Sequence, residues 1–168
     1  MEFRNSVKSD IKEIINIIEE AQSYFKENSI DQWQNGYPNE ESIMNDIESD
    51  ESYVLLKDDK IIATAYLSFS GENDYDIIYD GKWISEGDYA VVHRVAVSSN
   101  MKGKGIAREL FKCIEKVCLE NNLKHIKIDT HRQNKSMQKF LKKNGFEYCG
   151  VIYLQDNSER IAFEKILY

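Results

Sequence analysis

Gly103 and Gly105 stand one residue apart in the run Lys102-Gly103-Lys104-Gly105-Ile106-Ala107. An almost continuously apolar stretch, residues 89–97 (YAVVHRVAV), precedes them, and an amphipathic stretch, residues 105–120, follows. Strand, glycine turn and helix start form an arrangement that holds a pyrophosphate. The glycines let the backbone approach the anion without a Cβ in the way. The unpaired N–H groups of a first helical turn point at it. Lys102 and Lys104 add positive charge. The turn lacks the Lys-Ser/Thr ending of a P-loop. It is also shorter than the dinucleotide-binding pattern and begins near residue 100, not after the first strand. A solvated basic turn that merely starts a helix is the plainer alternative.

The elements that must carry this turn follow from hydrophobic spacing. Residues 2–5 read as a short strand. Ile11, Ile14, Ile15, Ile18 and Phe25 recur at helical spacing, which predicts a helix over 10–26, with Asp10 and Glu13 as its capping box. Residues 28–41 form an aromatic-rich loop, and Pro38-Asn39 opens a second helix over 40–48. Residues 53–57 and 61–70 are strands joined at Asp58-Asp59. Residues 71–88 make a long excursion at a strand end, a kind of loop that is often functional. Residues 89–97 read as a central strand covered on both faces. In the helix over 105–120, Ala107, Leu110, Phe111, Ile114, Val117 and Cys118 make the buried stripe. A strand over 125–130 and a short helix over 136–144 follow, the helix closing at Gly145 with Phe146 packing back. Residues 146–153 and 160–166 form a last hairpin around Asp156-Asn157. The order β-α-α-β-β-β-α-β-α-β-β is that of an α/β or α+β domain with a mixed sheet, and 1–168 is read as one domain.

At these residues the sequence resembles the GNAT superfamily of N-acetyltransferases. That family's pyrophosphate loop reads Gln/Arg-x-x-Gly-x-Gly/Ala; here Lys102 takes the first place, and Gly105 and Ala107 match. Val95-Ala96-Val97 matches the apolar strand ending before it. Asn134, ahead of SMQKFLKKNGF, looks like the second cofactor motif. The resemblance implies a mostly antiparallel sheet with a central, splayed parallel pair, and acetyl-CoA as co-substrate in the splay between strands 89–97 and 125–130. It further implies that the backbone of Val95, Ala96 and Val97 pairs with the pantetheine arm. Residues Lys102, Gly103, Lys104, Gly105, Ile106, Ala107 and Arg108 would hold the pyrophosphate. Asn134 and Phe140 would contact the cofactor, although Asn134 also suits a helix cap.

The implied reaction is direct attack of an amine on the thioester, with a central-strand N–H holding the oxyanion. It needs a base near neutrality. His93 fits that range; a histidine bonded to a neighbouring strand is the alternative. Strand alternation sends Arg94 to the face opposite His93. Many family members place an acid tyrosine four residues before the Gly of Gly-Phe, where this chain has Leu141. The acid is then another group, such as Tyr89 or Tyr153, or water. Acceptor candidates are Asp31, Trp33, Tyr37, His131 and Arg160: Trp33 and Tyr37 by cation–π contact, Arg160 by a carboxylate pair. Packing of Trp33 and Tyr37, a surface-loop role for His131, and a hairpin salt bridge of Arg160 with Glu159 are the competing readings.

The bulk composition narrows the partners. The 168 residues carry a net charge of −7, with 22 basic and 29 acidic side chains, which argues against a nucleic-acid partner because phosphates need a basic face. No apolar run approaches the ~20 residues of a membrane span, and the N-terminus has no signal-peptide pattern. Three cysteines without metal-ligand spacing suggest a reducing cytoplasm and no metal. The exposed-strand character of residues 146–166 makes a homodimer reasonable. Two other functions compete with a transferase: a non-catalytic acyl-CoA sensor, which Leu141 favours, and an unrelated phosphate or nucleotide binder, which the Asn134–Phe146 motif disfavours.

Overall fold

Residues 1–168 are described by a computed structural model. Seven strands are hydrogen-bonded in the order β1 (Glu2–Asn5), β2 (Ser52–Lys57), β3 (Lys60–Ser68), β4 (Ala90–Val97), β5 (His125–Thr130), β7 (Glu159–Ile166), β6 (Glu147–Tyr153). The sheet is mixed and mostly antiparallel. β4 and β5 are its parallel pair, with Ala90 opposite Ile126 and Val91 opposite Lys127. Four helices flank it: α1 (Ile11–Glu27), α2 (Glu40–Glu48), α3 (Ile106–Glu120) and α4 (Lys135–Lys143). The element order is the one the spacing predicts. The chain divides into two compact units, Met1–Leu67 with His93–Ile114, and Ser68–Val92 with Glu115–Tyr168.

The first unit is built on isoleucines. Ile14, Ile17 and Ile18 of α1 meet Ile43 and Ile47 of α2 over Val54, Leu56, Ile61 and Ala96 of the sheet. Each buried Ile, Val or Leu of this set contributes roughly 1.5–3 kcal/mol. Asn39 caps α2 by accepting from the Ser42 N–H at 3.0 Å, and Ser42 returns the bond to the Asn39 N–H. The expected capping box at α1 does not form. Asp10 instead accepts from Arg4 (2.7 and 3.1 Å) and from the Val7 N–H (2.8 Å). Glu13 reaches across to the Ile61 N–H at 3.4 Å. A nearby guanidinium outcompetes the helix's own donors for the carboxylate, because a charged bidentate bond is the stronger one. Arg4 thereby holds Asp10 below its ordinary pKa, with the Val7 N–H assisting. The β2–β3 turn at Asp58-Asp59 has both residues at positive φ (51° and 61°), the type I′ geometry that suits a twisted hairpin.

In the second unit the 71–88 excursion lies as a strap on β4–β7. Tyr75, Val91, Ile152 and Ala162 form a core, with Ile78, Trp83, Tyr89 and Leu154 packed against it. Tyr79 exchanges two backbone hydrogen bonds with Val151 of β6, each 2.8 Å. Gly81 permits this approach: a Cβ there would sit 1.9 Å from the Cys149 carbonyl oxygen. α4 closes as expected, with Phe146 N–H donating to Leu141 O (3.0 Å), Gly145 N–H to Lys142 O (3.3 Å), and Phe146 buried. No helix is long and apolar enough to cross a membrane.

Candidate active site

The turn before α3 has the geometry the spacing predicts. Gly103 and Gly105 lie at φ 75° and 76°, and a Cβ added at either meets nothing within 4 Å. Both glycines, with Lys102 and Lys104, are exposed, whereas Ile106 is buried and Ala107 half-buried. The first helical bond runs from Glu109 N–H to Gly105 O at 3.1 Å, so Ile106, Ala107 and Arg108 have N–H groups with no partner inside the helix. The Lys102 ammonium stands 4.0 Å over the Tyr24 ring. Upstream, Val95, Ala96 and Val97 end β4, and Ser98 N–H bonds to Ile62 O at 2.8 Å. An open glycine turn with free N–H groups and three basic side chains can take an anion of pyrophosphate size.

One correction concerns the middle of β4. Arg94 has φ 50°, a left-handed conformation that costs a non-glycine residue about 1–2 kcal/mol. It breaks the strand's alternation, so His93 and Arg94 do not diverge. The His93 ring stacks on Tyr66 of β3 (centroids 5.5 Å, 24° between planes), and the Arg94 guanidinium lies 4.5 Å from the centroid of the same Tyr66 ring. Arg94 also binds Asp46 of α2 in bidentate fashion, Nε to Oδ2 at 2.7 Å and Nη2 to Oδ1 at 2.6 Å. Its Nη1 donates to the Tyr37 hydroxyl. Burial raises the Asp46 carboxyl above its ordinary pKa, and the guanidinium offsets this only in part.

The acceptor candidates of this unit separate. Tyr37 is 40% exposed, and its ring faces Arg94 at 5.8 Å. Trp33 packs edge-on against Phe25 (5.5 Å) beside the α1–α2 core. Asp31 is exposed. Asp46, Arg94 and Tyr66 are the residues that sequence reasoning misses as a group. A charged residue in each of two apolar-stripe elements is the only signal they leave.

In the second unit Asn134 caps α4, its Oδ1 accepting from the Met137 N–H at 3.1 Å, and it is buried. Its own N–H bonds to the His131 carbonyl at 2.9 Å, while His131 Nδ1 accepts from the Gln133 N–H at 3.0 Å. His131 and Asn134 are thus brought together at the end of β5. Phe140 is half-buried and Leu141 wholly buried. Arg160 donates to the Glu159 carbonyl at 2.8 Å, and the Glu159 carboxylate pairs with Arg132 at 2.6 Å. The Tyr89 hydroxyl accepts from the Glu72 N–H (3.1 Å) and donates to the Glu72 carbonyl (3.3 Å); burial raises its pKa. Lys127, only 4% exposed, holds its ammonium 4.0 Å from the Tyr89 ring and 4.4 Å from Trp83. Burial lowers its pKa against the pull of Glu164. Glu164 accepts from the Ile84 N–H (2.7 Å) and the Ser85 hydroxyl, and Asp129 accepts from Tyr75 at 2.6 Å. Charges at buried positions of β5 and β7 therefore fasten the strap.

The comparisons name the class to which this fold and anion-ready turn belong. The Acetyltransferase (GNAT) family profile matches residues 14–146. The chain is 32% identical to a GNAT-family acetyltransferase from Streptococcus agalactiae, with 99% of this chain and 95% of that one covered and a TM-score of 0.91. Two more distant structures share the fold. One is a ribosomal-protein-alanine N-acetyltransferase from Brucella melitensis (18% identity, 99% and 100% covered, TM-score 0.71). The other is the PaiA N-acetyltransferase from Thermoplasma acidophilum, solved with coenzyme A (20% identity, 98% of each chain, TM-score 0.71). No curated protein matches the sequence. The chain belongs to the GNAT acetyltransferase family.

Proposed function

We propose that this protein is an acetyl-CoA-dependent N-acetyltransferase that moves the acetyl group to a primary amine of a small molecule or peptide. The observation that carries the reading is the exposed Gly103–Gly105 turn, which leads into the unpaired N–H groups of α3 in a chain of this family. In this reading residues 1–168 act as one domain, since the family match runs through both compact units. The turn and Arg108 hold the pyrophosphate, and the Val95–Val97 backbone holds the pantetheine arm. Asn134 and Phe140 serve the cofactor as well. The two related N-acetyltransferases support an amine acceptor, and the one solved with coenzyme A supports the cofactor.

His93 takes the ammonium proton, acting directly or through water. The amine nitrogen attacks the thioester carbon, the C–S bond breaks, and the CoA thiolate receives a proton from Tyr89 or water. Tyr37, an exposed side chain, and Asp31 border the acceptor; Trp33, His131 and Arg160 complete the proposed set. A metal has no step in this chemistry. Cys113, Cys118 and Cys149 form no disulfide, which favours a reducing cytoplasm. Burial pushes Cys118 up to about 12 and Cys149 to about 11, which keeps both as inert thiols.

The test is thiol release from acetyl-CoA with a panel of amines, in wild type and His93→Ala. Turnover with one amine class, lost in the variant while CoA binding persists, supports both enzyme and base. Turnover unchanged in the variant removes His93 from the mechanism. A second reading, a non-catalytic acyl-CoA sensor, is favoured by Leu141, a buried apolar side chain at the place where many members of the family have an acid tyrosine. CoA binding with no turnover across the panel would select it.

A further inference from the structure

Arg94 is an outlier in the middle of a central strand, and its side chain is clamped from three directions. Asp46 arrives from α2 with two short bonds, Tyr37 from the segment before that helix, and Tyr66 from β3. The Arg94 and Asp46 side chains are only 13% and 10% exposed. A buried ion pair is a poor device for stability alone, because desolvation consumes most of the attraction. Strained backbone held by an over-determined surround is a pattern found at functional sites. What this clamp holds is the Tyr66 ring, on which the His93 imidazole is stacked. The flat guanidinium can bind Asp46 with two donors and lie on an aromatic face at once, which an ammonium cannot.

We propose that Asp46 and Arg94 are positioning residues that set the His93 imidazole from α2, by fixing the β4 irregularity and the Tyr66 ring. The proposal rests on the reading above, in which His93 serves the reaction. In this reading the Asp46–Arg94 pair acts through Tyr66, through the β4 backbone and through the charge interaction of Asp46 with His93. Loss of the clamp leaves the glycine turn intact, so the hold on the pyrophosphate is retained while the imidazole loses its orientation. A misplacement of about 1 Å at a catalytic group lowers turnover by ~100-fold.

The experiment uses Asp46→Asn, Arg94→Lys and Arg94→Gly in the full chain. Glycine accepts the left-handed backbone, so Arg94→Gly removes the clamp without forcing the strand and guards against a variant that fails to fold. The sequence has three histidines, so imidazole proton NMR resolves His93, identified by the resonance missing in His93→Ala. We expect all three variants to move the His93 resonance, through the altered Tyr66 ring current, with those of His125 and His131 unmoved. We also expect kcat to fall ~100-fold, a far larger change than any rise in the KM for acetyl-CoA. Folded Asp46→Asn and Arg94→Gly proteins that keep the His93 resonance in place overturn the proposal, even where His93→Ala itself is inactive. A shifted resonance together with full activity of His93→Ala supports the positioning role and removes instead the assignment of His93 as base.

Discussion

At the scale of single residues, Asn134 has one role that the structure shows and one that is proposed. Its Oδ1 caps α4, and the proposed function also gives it the cofactor. Asn134→Ala should cost about 1 kcal/mol of stability, whereas Asn134→Asp, which keeps the cap, should leave the melting temperature near wild type. If the cofactor role is real, both variants raise the KM for acetyl-CoA, so stability and KM separate. Asp10 makes a pH prediction. Arg4 depresses its pKa in the folded protein below the ordinary 3.8. The contribution is therefore present above that ordinary value and is lost as pH falls through the depressed one. Asp10→Asn should lower the melting temperature at pH 7, and the gap from wild type should close under acid titration. A gap that stays constant down to strong acid would contradict the assignment.

At the scale of elements, the strap over 71–88 is fastened by a close backbone approach and by buried charge. Gly81→Ala places a Cβ against the Cys149 carbonyl, a backbone atom that cannot swing aside. The expected loss is about 1–3 kcal/mol, with faster hydrogen exchange at the Tyr79 and Val151 amides. Unchanged exchange there would show that the approach does not hold the strap. Lys127 shares the sign of the pH slope with Asp10 but in an alkaline window, because here burial penalises the charged form. Its pKa is depressed by burial, so its penalty is full below the depressed value. The penalty fades as pH rises from there toward the ordinary 10.5. Lys127→Met should flatten the rise of stability on that alkaline limb, as read by denaturant titrations across pH.

These elements also mark the limit of what sequence reveals. α1, α2, α3 and the β2–β3 hairpin follow from local spacing and turn chemistry, and their bounds agree with the expected ones to within a few residues. The glycine turn was legible for the same reason, since its geometry is written in adjacent residues. The Arg94 irregularity was not. It depends on Asp46, 48 positions away in the chain, and strand periodicity alone sends His93 and Arg94 to opposite faces. The Asp10 carboxylate turned to Arg4 on the same principle: a tertiary partner outcompeted a local motif. Nothing local in the sequence marks Lys127 and Glu164 as buried; the strap that contacts them comes from residues 71–88.

For the molecule as a whole, family membership rests on a match running from residue 14 to 146, and it defines the reaction class more firmly than the acceptor. One scaffold serves many amines, so the acceptor must be argued from the side chains around it. The first unit holds the anion turn and the His93–Tyr66–Arg94–Asp46 group; the second holds Asn134 and the strap. The central claim is acetyl transfer to nitrogen. Its most direct test is to incubate the protein with acetyl-CoA and an amine panel, and to quantify free CoA thiol and acetylated amine in the same samples. The account predicts one amine class for which the two rise in equal amounts. Thiol release without acetylated amine, or saturable CoA binding with neither product, would contradict it.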